Sequence, residues 1–177
     1  MKIAAVENPR SRQKELGQFL TATPVVDFMA SMFGPRALAT RSTARDRWGF
    51  LVKAIIEVFC ARWSPGAAII GIRDIKQNVL HLNSQALAAP GVTLYSAAKL
   101  PDVIIHHKAR NRLLLIEAVV KVGPVDEKRR KELNDMFAGS KPHLVFVTAF
   151  ETRRTMHAFL SYIAWESEVW IAEDPTT

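Results

Sequence analysis

Cysteine is nearly absent from this chain: Cys60 is the only one among 177 residues. A single thiol excludes an intramolecular disulfide and a cysteine-built zinc cluster, and it suits a cytoplasmic compartment. Long apolar runs are also missing. Stretches such as LLLI at residues 113–116 fall far short of the roughly 20 residues that span a bilayer, and residues 1–12 carry no apolar secretion core. The expectation is therefore a protein with no membrane partner. Acidic residues are scarce, 17 against 24 lysines and arginines, which leaves a net charge of +7 and a pI near 9.9. Such a balance favours a polyanionic partner, although surplus cations also serve as a solvated face. The excess is uneven, because residues 151–177 hold two basic and five acidic side chains. A polyanion is thus expected to approach the earlier segments.

What is present fits one domain with a substantial core. Asp46 is placed to cap a helix running to about Arg62, with Phe50, Ala54, Ile55, Val58 and Phe59 recurring at helical spacing and Ser64, Pro65 and Gly66 ending it. Residues 67–72 and 78–82 read as short strands, followed by turn signals at Pro90 and Gly91. Pro101 and Asp102 open a strand whose β-branched run is Val103 to Ile105, the polar turn 108–111 follows, and residues 112–122 return. Gly123 and Pro124 break that strand, and Asp126 offers a cap to a helix with Leu133, Met136 and Phe137 on its apolar face, ending at Gly139. Residues 144–147 form a continuous apolar run expected to be a strand buried on both faces, 151–163 an amphipathic helix, and 169–172 a closing strand. Trp48, Trp63, Trp165 and Trp170 each lie beside aliphatic residues and are expected to pack rather than stack on a ligand. His106 and His107 are adjacent and so point to opposite strand faces, which rules out a local two-histidine metal pair.

The chemistry concentrates in residues 99–133, KLPDVIIHHKARNRLLLIEAVVKVGPVDEKRRKEL. Asp102 and Glu117 stand on neighbouring apolar strands, where two carboxylates can share a hard divalent cation such as Mg²⁺, an ion that prefers oxygen ligands and keeps several waters. A PD…(D/E)xK nuclease site is the sharp reading; two acids so spaced also occur in α/β proteins without such a role. Lysine belongs two residues after the second acid, yet Val119 stands there. Lys121 shares its strand parity and would sit about 6.6 Å further along at roughly 3.3 Å per residue, within reach of a long side chain. Lys99 and Lys128 are rivals for the same role. The basic run Lys128, Arg129, Arg130 and Lys131 begins the following helix; its members either contact phosphates, which positions a duplex without reading bases, or face water. Lys99, Lys128 and Arg129 are the expected DNA contacts.

The wording of the chain resembles the BsuBI/PstI family of type II restriction endonucleases. The similar stretches are KAIIEVFCARW (53–63), KLPDVII (99–105), IEAVVKVGPVDEKRRKEL (116–133), LVFVTAFETRRT (144–155) and YIAWESEVWIAEDPT (162–176). The resemblance covers roughly residues 45–177. It implies an α/β restriction-endonuclease-like PD-(D/E)xK core with a mixed central sheet flanked by helices, and Mg²⁺-dependent cleavage of double-stranded DNA within a restriction–modification system. It makes Val119 an ordinary variation of the family and Glu57, in KAIIEVF, a further acid of the site. A short palindromic target and symmetric cutting would suit a two-fold homodimer. The alternative is a truncated, noncatalytic DNA-binding or interaction remnant of such an enzyme.

Residues 12–34, RQKELGQFLTATPVVDFMASMFG, resemble instead the opening of N6-adenine DNA methyltransferases, through Leu16, Gly17, Gln18, Phe19 and Thr21. No glycine-rich cofactor loop follows a strand, and no acidic or asparagine residue precedes paired prolines and an aromatic. Methylation is thus not expected. Residues 1–44 are read as a methyltransferase-like leader or helical extension, with Val25, Phe28, Met29 and Met32 on one side of an amphipathic helix.

Overall fold

The computed structural model describes residues 43–74, 76, 79–88, 91–92 and 99–176. The expected leader at 1–44 lies almost wholly outside the described residues. Helix α1 (Ala44–Ala54) passes through a π-helical turn (Ile55–Phe59) into the short α2 (Cys60–Trp63). The N-cap is Thr43 rather than Asp46. The Thr43 hydroxyl accepts from Asp46 N–H at 3.2 Å while Asp46 Oδ2 accepts from Thr43 N–H at 2.9 Å. This reciprocal capping box puts the acid three residues inside the helix and satisfies two otherwise orphaned donors. The buried stripe also differs from expectation: Trp48, Leu51, Val52, Ile55, Ile56 and Phe59 face the core, whereas Phe50 and Val58 are 40% and 39% exposed. The helical period was right, but the stripe's centre lies one residue away, on the line through Trp48, Val52 and Ile56.

Six strands follow: β1 (Ala68–Arg73), β2 (Val79–Leu82), β3 (Val103–His107), β4 (Arg112–Val119), β5 (His143–Phe150) and β6 (Glu168–Ile171). Their order is β2-β1-β3-β4-β5-β6 in one sheet. Pairing is antiparallel from β2 to β4 and parallel from β4 to β6, so the expected mixed sheet is present. A 3-10 turn (Lys108–Arg110) and Asn111 in the left-handed region close the β3–β4 hairpin, as its polar, Asn-ended wording suits. Parallel β4 and β5 need a crossover, supplied by α4 (Glu127–Met136), after the short α3 (Ser84–Ala88) earlier in the chain. Helix α5 (Arg153–Phe159) joins β5 to β6.

Strand alternation divides the core. Val103, Ile105, Leu114, Ile116 and Ala118 point to the layer of α1 and its π turn. Ile104, Leu113 and Leu115 point to the other, with Leu133 and Phe137 at the end of α4. By the same parity Asp102 and Glu117 belong to the α4 side. Trp48 and Trp170 are buried as expected, but Trp63 and Trp165 are 42% and 86% exposed. Those two stand at the end of α2 and in the turn before β6, where aliphatic neighbours in sequence do not become neighbours in space.

Candidate active site

Two acids meet at one end of the β3–β4 hairpin. Asp102 immediately precedes β3, and Glu117 lies one pairing step beyond the Val103–Ile116 register. The side chains of Asp102 and Glu117 are each 13% exposed. Asp102 Oδ2 accepts from Ala118 N–H at 2.8 Å, which ties the first acid to the strand bearing the second. Burial, and then the Glu117 carboxylate, push the Asp102 carboxyl up to about 8 from 3.8, while the Ala118 N–H and Arg73 pull it down. A shared cation relieves that strain directly.

Arg73, the last residue of β1, is the side chain that sequence reasoning passed over. Its N–H donates to Asp102 O at 2.8 Å, and its Nη2 lies 3.9 Å from Asp102 Oδ1. Burial lowers its pKa, opposed by the charges of Asp102 and Glu117. The only signal for it was a charge ending the apolar run AAIIGIR.

Arg129 lies against the second acid. Asp126 caps α4 by accepting from Arg129 N–H at 2.7 Å, and from this third helical position the side chain turns back over the strand end. Its Nε and Nη2 both donate to Glu117 Oε1, at 2.8 and 2.6 Å. Nη2 also donates to Lys99 O at 2.8 Å and Leu100 O at 3.3 Å. Lys99 adopts φ 66°, the left-handed region that costs a non-glycine residue energy and clusters at functional sites. Arg129 is therefore tied to Glu117 in the free protein, beside the acid pair.

The remaining expected residues separate. Lys99 Nζ pairs with Glu132 at 3.4 Å, its side chain 63% exposed. Lys121 is exposed and follows the end of β4 at Val119, so strand parity no longer aims it at Glu117. Glu57 sits on the π turn, on the opposite face of the sheet, 58% exposed and 4.0 Å from Lys53. The structure does not bring it to Asp102 and Glu117. Lys128 is exposed on α4, whereas Arg130 pairs with Glu166 at 2.5 Å and lies over Phe146. Both hairpin histidines are buried, and His107 Nδ1 accepts from Arg110 N–H at 3.3 Å, a structural role. A cavity of about 380 Å³ reaches Phe59, His107, Arg112 and Trp170, at the opposite end of the hairpin from the acids.

No group of three or more His, Cys, Asp or Glu side chains converges among the described residues. Two carboxylates alone do not suit zinc, which takes three or four protein ligands. They do suit Mg²⁺, which is held by one or two carboxylates and completes its shell with water.

Comparison with known proteins shows the family of the chain. The model of the BsuBI/PstI restriction endonuclease domain matches residues 37–177. The chain belongs to this family. The BsuBI/PstI match begins ahead of the boundary expected at residue 45 and covers every element of the sheet. The type II restriction enzyme BsuBI of Bacillus subtilis is 43% identical over 126 residues, 71% of this chain and 40% of that enzyme. The type II restriction enzyme AplI of Arthrospira platensis is 32% identical over 75 residues, 42% of this chain and 23% of that enzyme. Among solved structures, the SdaI restriction endonuclease superposes with a TM-score of 0.68 at 36% identity, covering 73% of this chain and 41% of SdaI. The chain thus spans about two fifths of BsuBI and SdaI. The restriction-endonuclease-like fold is established; the methyltransferase resemblance at residues 12–34 precedes the matched region and gains no support from these comparisons.

Proposed function

We propose that this chain is the catalytic part of a type II site-specific deoxyribonuclease that hydrolyses phosphodiester bonds in double-stranded DNA as part of a restriction–modification system. The observation that carries this reading is the buried pair of Asp102 and Glu117 at one strand end, in a chain of the BsuBI/PstI family. Asp102 and Glu117 would hold Mg²⁺, which when bound supplies Lewis-acid stabilisation and an activated water. Asp102 is oriented by the Ala118 N–H, and Glu117 by Arg129. Burial keeps both carboxylates in a medium where their attraction to a cation is stronger than in water. Exposed Lys99 and Lys128 border this end of the sheet in sequence and would hold the DNA backbone, and two copies related by a two-fold axis would cut both strands.

The competing reading is a noncatalytic DNA-binding remnant of such an enzyme. Incubation of purified protein with duplex DNA, with and without Mg²⁺, and mapping of new ends separates the two. Discrete Mg²⁺-dependent ends are expected; DNA bound in a salt-sensitive manner but intact at every Mg²⁺ concentration would replace the enzyme by the remnant.

A further inference from the structure

We propose that Arg129 supplies the positive charge that β4 withholds at position 119, reaching the reacting phosphate from a helix instead of from the strand. The inference rests on the nuclease reading above. Val119 is an apolar side chain buried at 1% exposure. The lysines nearest in sequence do not take its place: Lys121 follows the strand end, and Lys99 pairs with Glu132. Arg129 hydrogen-bonds Glu117 through its side chain at 2.8 and 2.6 Å. Arg73 lies 3.9 Å from Asp102 with its side chain 4% exposed, away from solvent.

The way Arg129 is held fits a role in the reaction. Glu117 Oε1, Lys99 O and Leu100 O fix its Nε and Nη2 from two segments of chain. Both contacts with Glu117 fall on Oε1, while the Glu117 carboxylate also shares a hydrogen bond with Asp102. Among the described residues Nη1 makes only a long 3.4 Å contact with Glu132, and the side chain is 17% exposed. Donors of a permanently charged, planar group are thus present beside the carboxylates, at the edge reached from solvent. In the hydrolysis, the oxygen of water bonds to phosphorus and releases a proton to solvent, the in-line P–O bond opens, and the departing oxygen takes a proton from solvent. Arg129 makes and breaks no covalent bond in that step. It offsets the negative charge that builds on the non-bridging oxygens.

This role predicts a separation that a structural brace does not. A guanidinium beside Glu117 repels a dication, so its removal should not weaken Mg²⁺ binding even though it slows cutting. Arg129→Met, Arg129→Gln and Arg129→Lys in the full chain are compared by Mg²⁺ titration calorimetry, duplex cleavage rate and melting temperature in EDTA. Cleavage by Arg129→Met should fall about 100-fold or more, with Mg²⁺ affinity unchanged or up to about tenfold tighter. Arg129→Lys should cut about tenfold faster than Arg129→Gln, a comparison that decides the matter even where Arg129→Met fails to fold. Equal rates for the lysine and glutamine variants, or Mg²⁺ affinity falling by the same factor as cleavage, would overturn the inference and leave Arg129 as a holder of Glu117. Wild-type protein that neither binds Mg²⁺ nor cuts would overturn the nuclease reading itself.

Discussion

Replacing Asp102 by asparagine should make the metal-free protein more stable while removing its chemistry. The native carboxyl titrates at about 8 against 3.8 for an unperturbed one, chiefly because it is buried and second because Glu117 stands beside it. Between those values the native state holds a proton that the unfolded chain has released. Wild-type stability therefore falls as pH rises through this window, at up to about 1.4 kcal/mol per pH unit. By pH 7 the ceiling is about 4 kcal/mol. Asparagine keeps an acceptor for the Ala118 N–H but loses the attraction of Arg73 at 3.9 Å, which cuts the expected gain to roughly 1–3 kcal/mol. For a chain of this size that is a rise of about 3–10 °C in Tm. Thermal unfolding of both proteins in EDTA from pH 4 to 8.5 reads it. The gap should be near zero at pH 4 and widen towards pH 8. His81 and His106, which burial shifts towards the neutral form, cancel in the difference. A gap that is constant with pH, or that widens towards acid, would refute the electrostatic account of the pair.

Phe137→Ala, at a position of 0% exposure under α4, should cost about 3–5 kcal/mol in urea unfolding; a loss below about 1 kcal/mol would contradict the packing of α4 on the sheet. Thr148→Val should cost about 1–3 kcal/mol by the same measurement, because the Val125 N–H, which donates to the buried Thr148 hydroxyl at 3.1 Å, is left without its acceptor. Lys128→Ala should lower the salt dependence of DNA binding by about one released counterion with little change in Tm; an unchanged slope in a titration across salt concentrations would remove Lys128 from the interface.

The hairpin that carries the acids was legible because its signals are local. A PD opening, a β-branched run, an Asn-ended turn and an aliphatic return strand each name their own structure, and period 2 then puts both acids on one face. The cap at Asp126 and the buried Leu133 and Phe137 followed from similarly local patterns. Arg129 was not legible, because a run of four cations on a helix looks the same whether a member faces water or folds back over a strand twelve residues earlier. The direction is decided by the crossover that parallel β4 and β5 require. Lys121 failed for a related reason: parity holds only within a strand, and Gly123 and Pro124 end β4 sooner than its apolar wording suggests. Glu57 was drawn in by family-like wording, but the wording cannot say which face of the sheet its helix covers. Arg73 depends on a β1–β3 pairing about thirty residues apart in sequence, with no local mark beyond its charge.

In the proposed site, Asp102 and Glu117 together would hold one divalent cation. Calorimetric titration of MgCl₂ into the purified chain, and into Asp102→Ala and Glu117→Ala, tests it without relying on cleavage. Saturable binding of one Mg²⁺ by the wild type is expected, with loss of that binding in each variant and both variants still folded. Mg²⁺ binding that survives unchanged in either variant would contradict it.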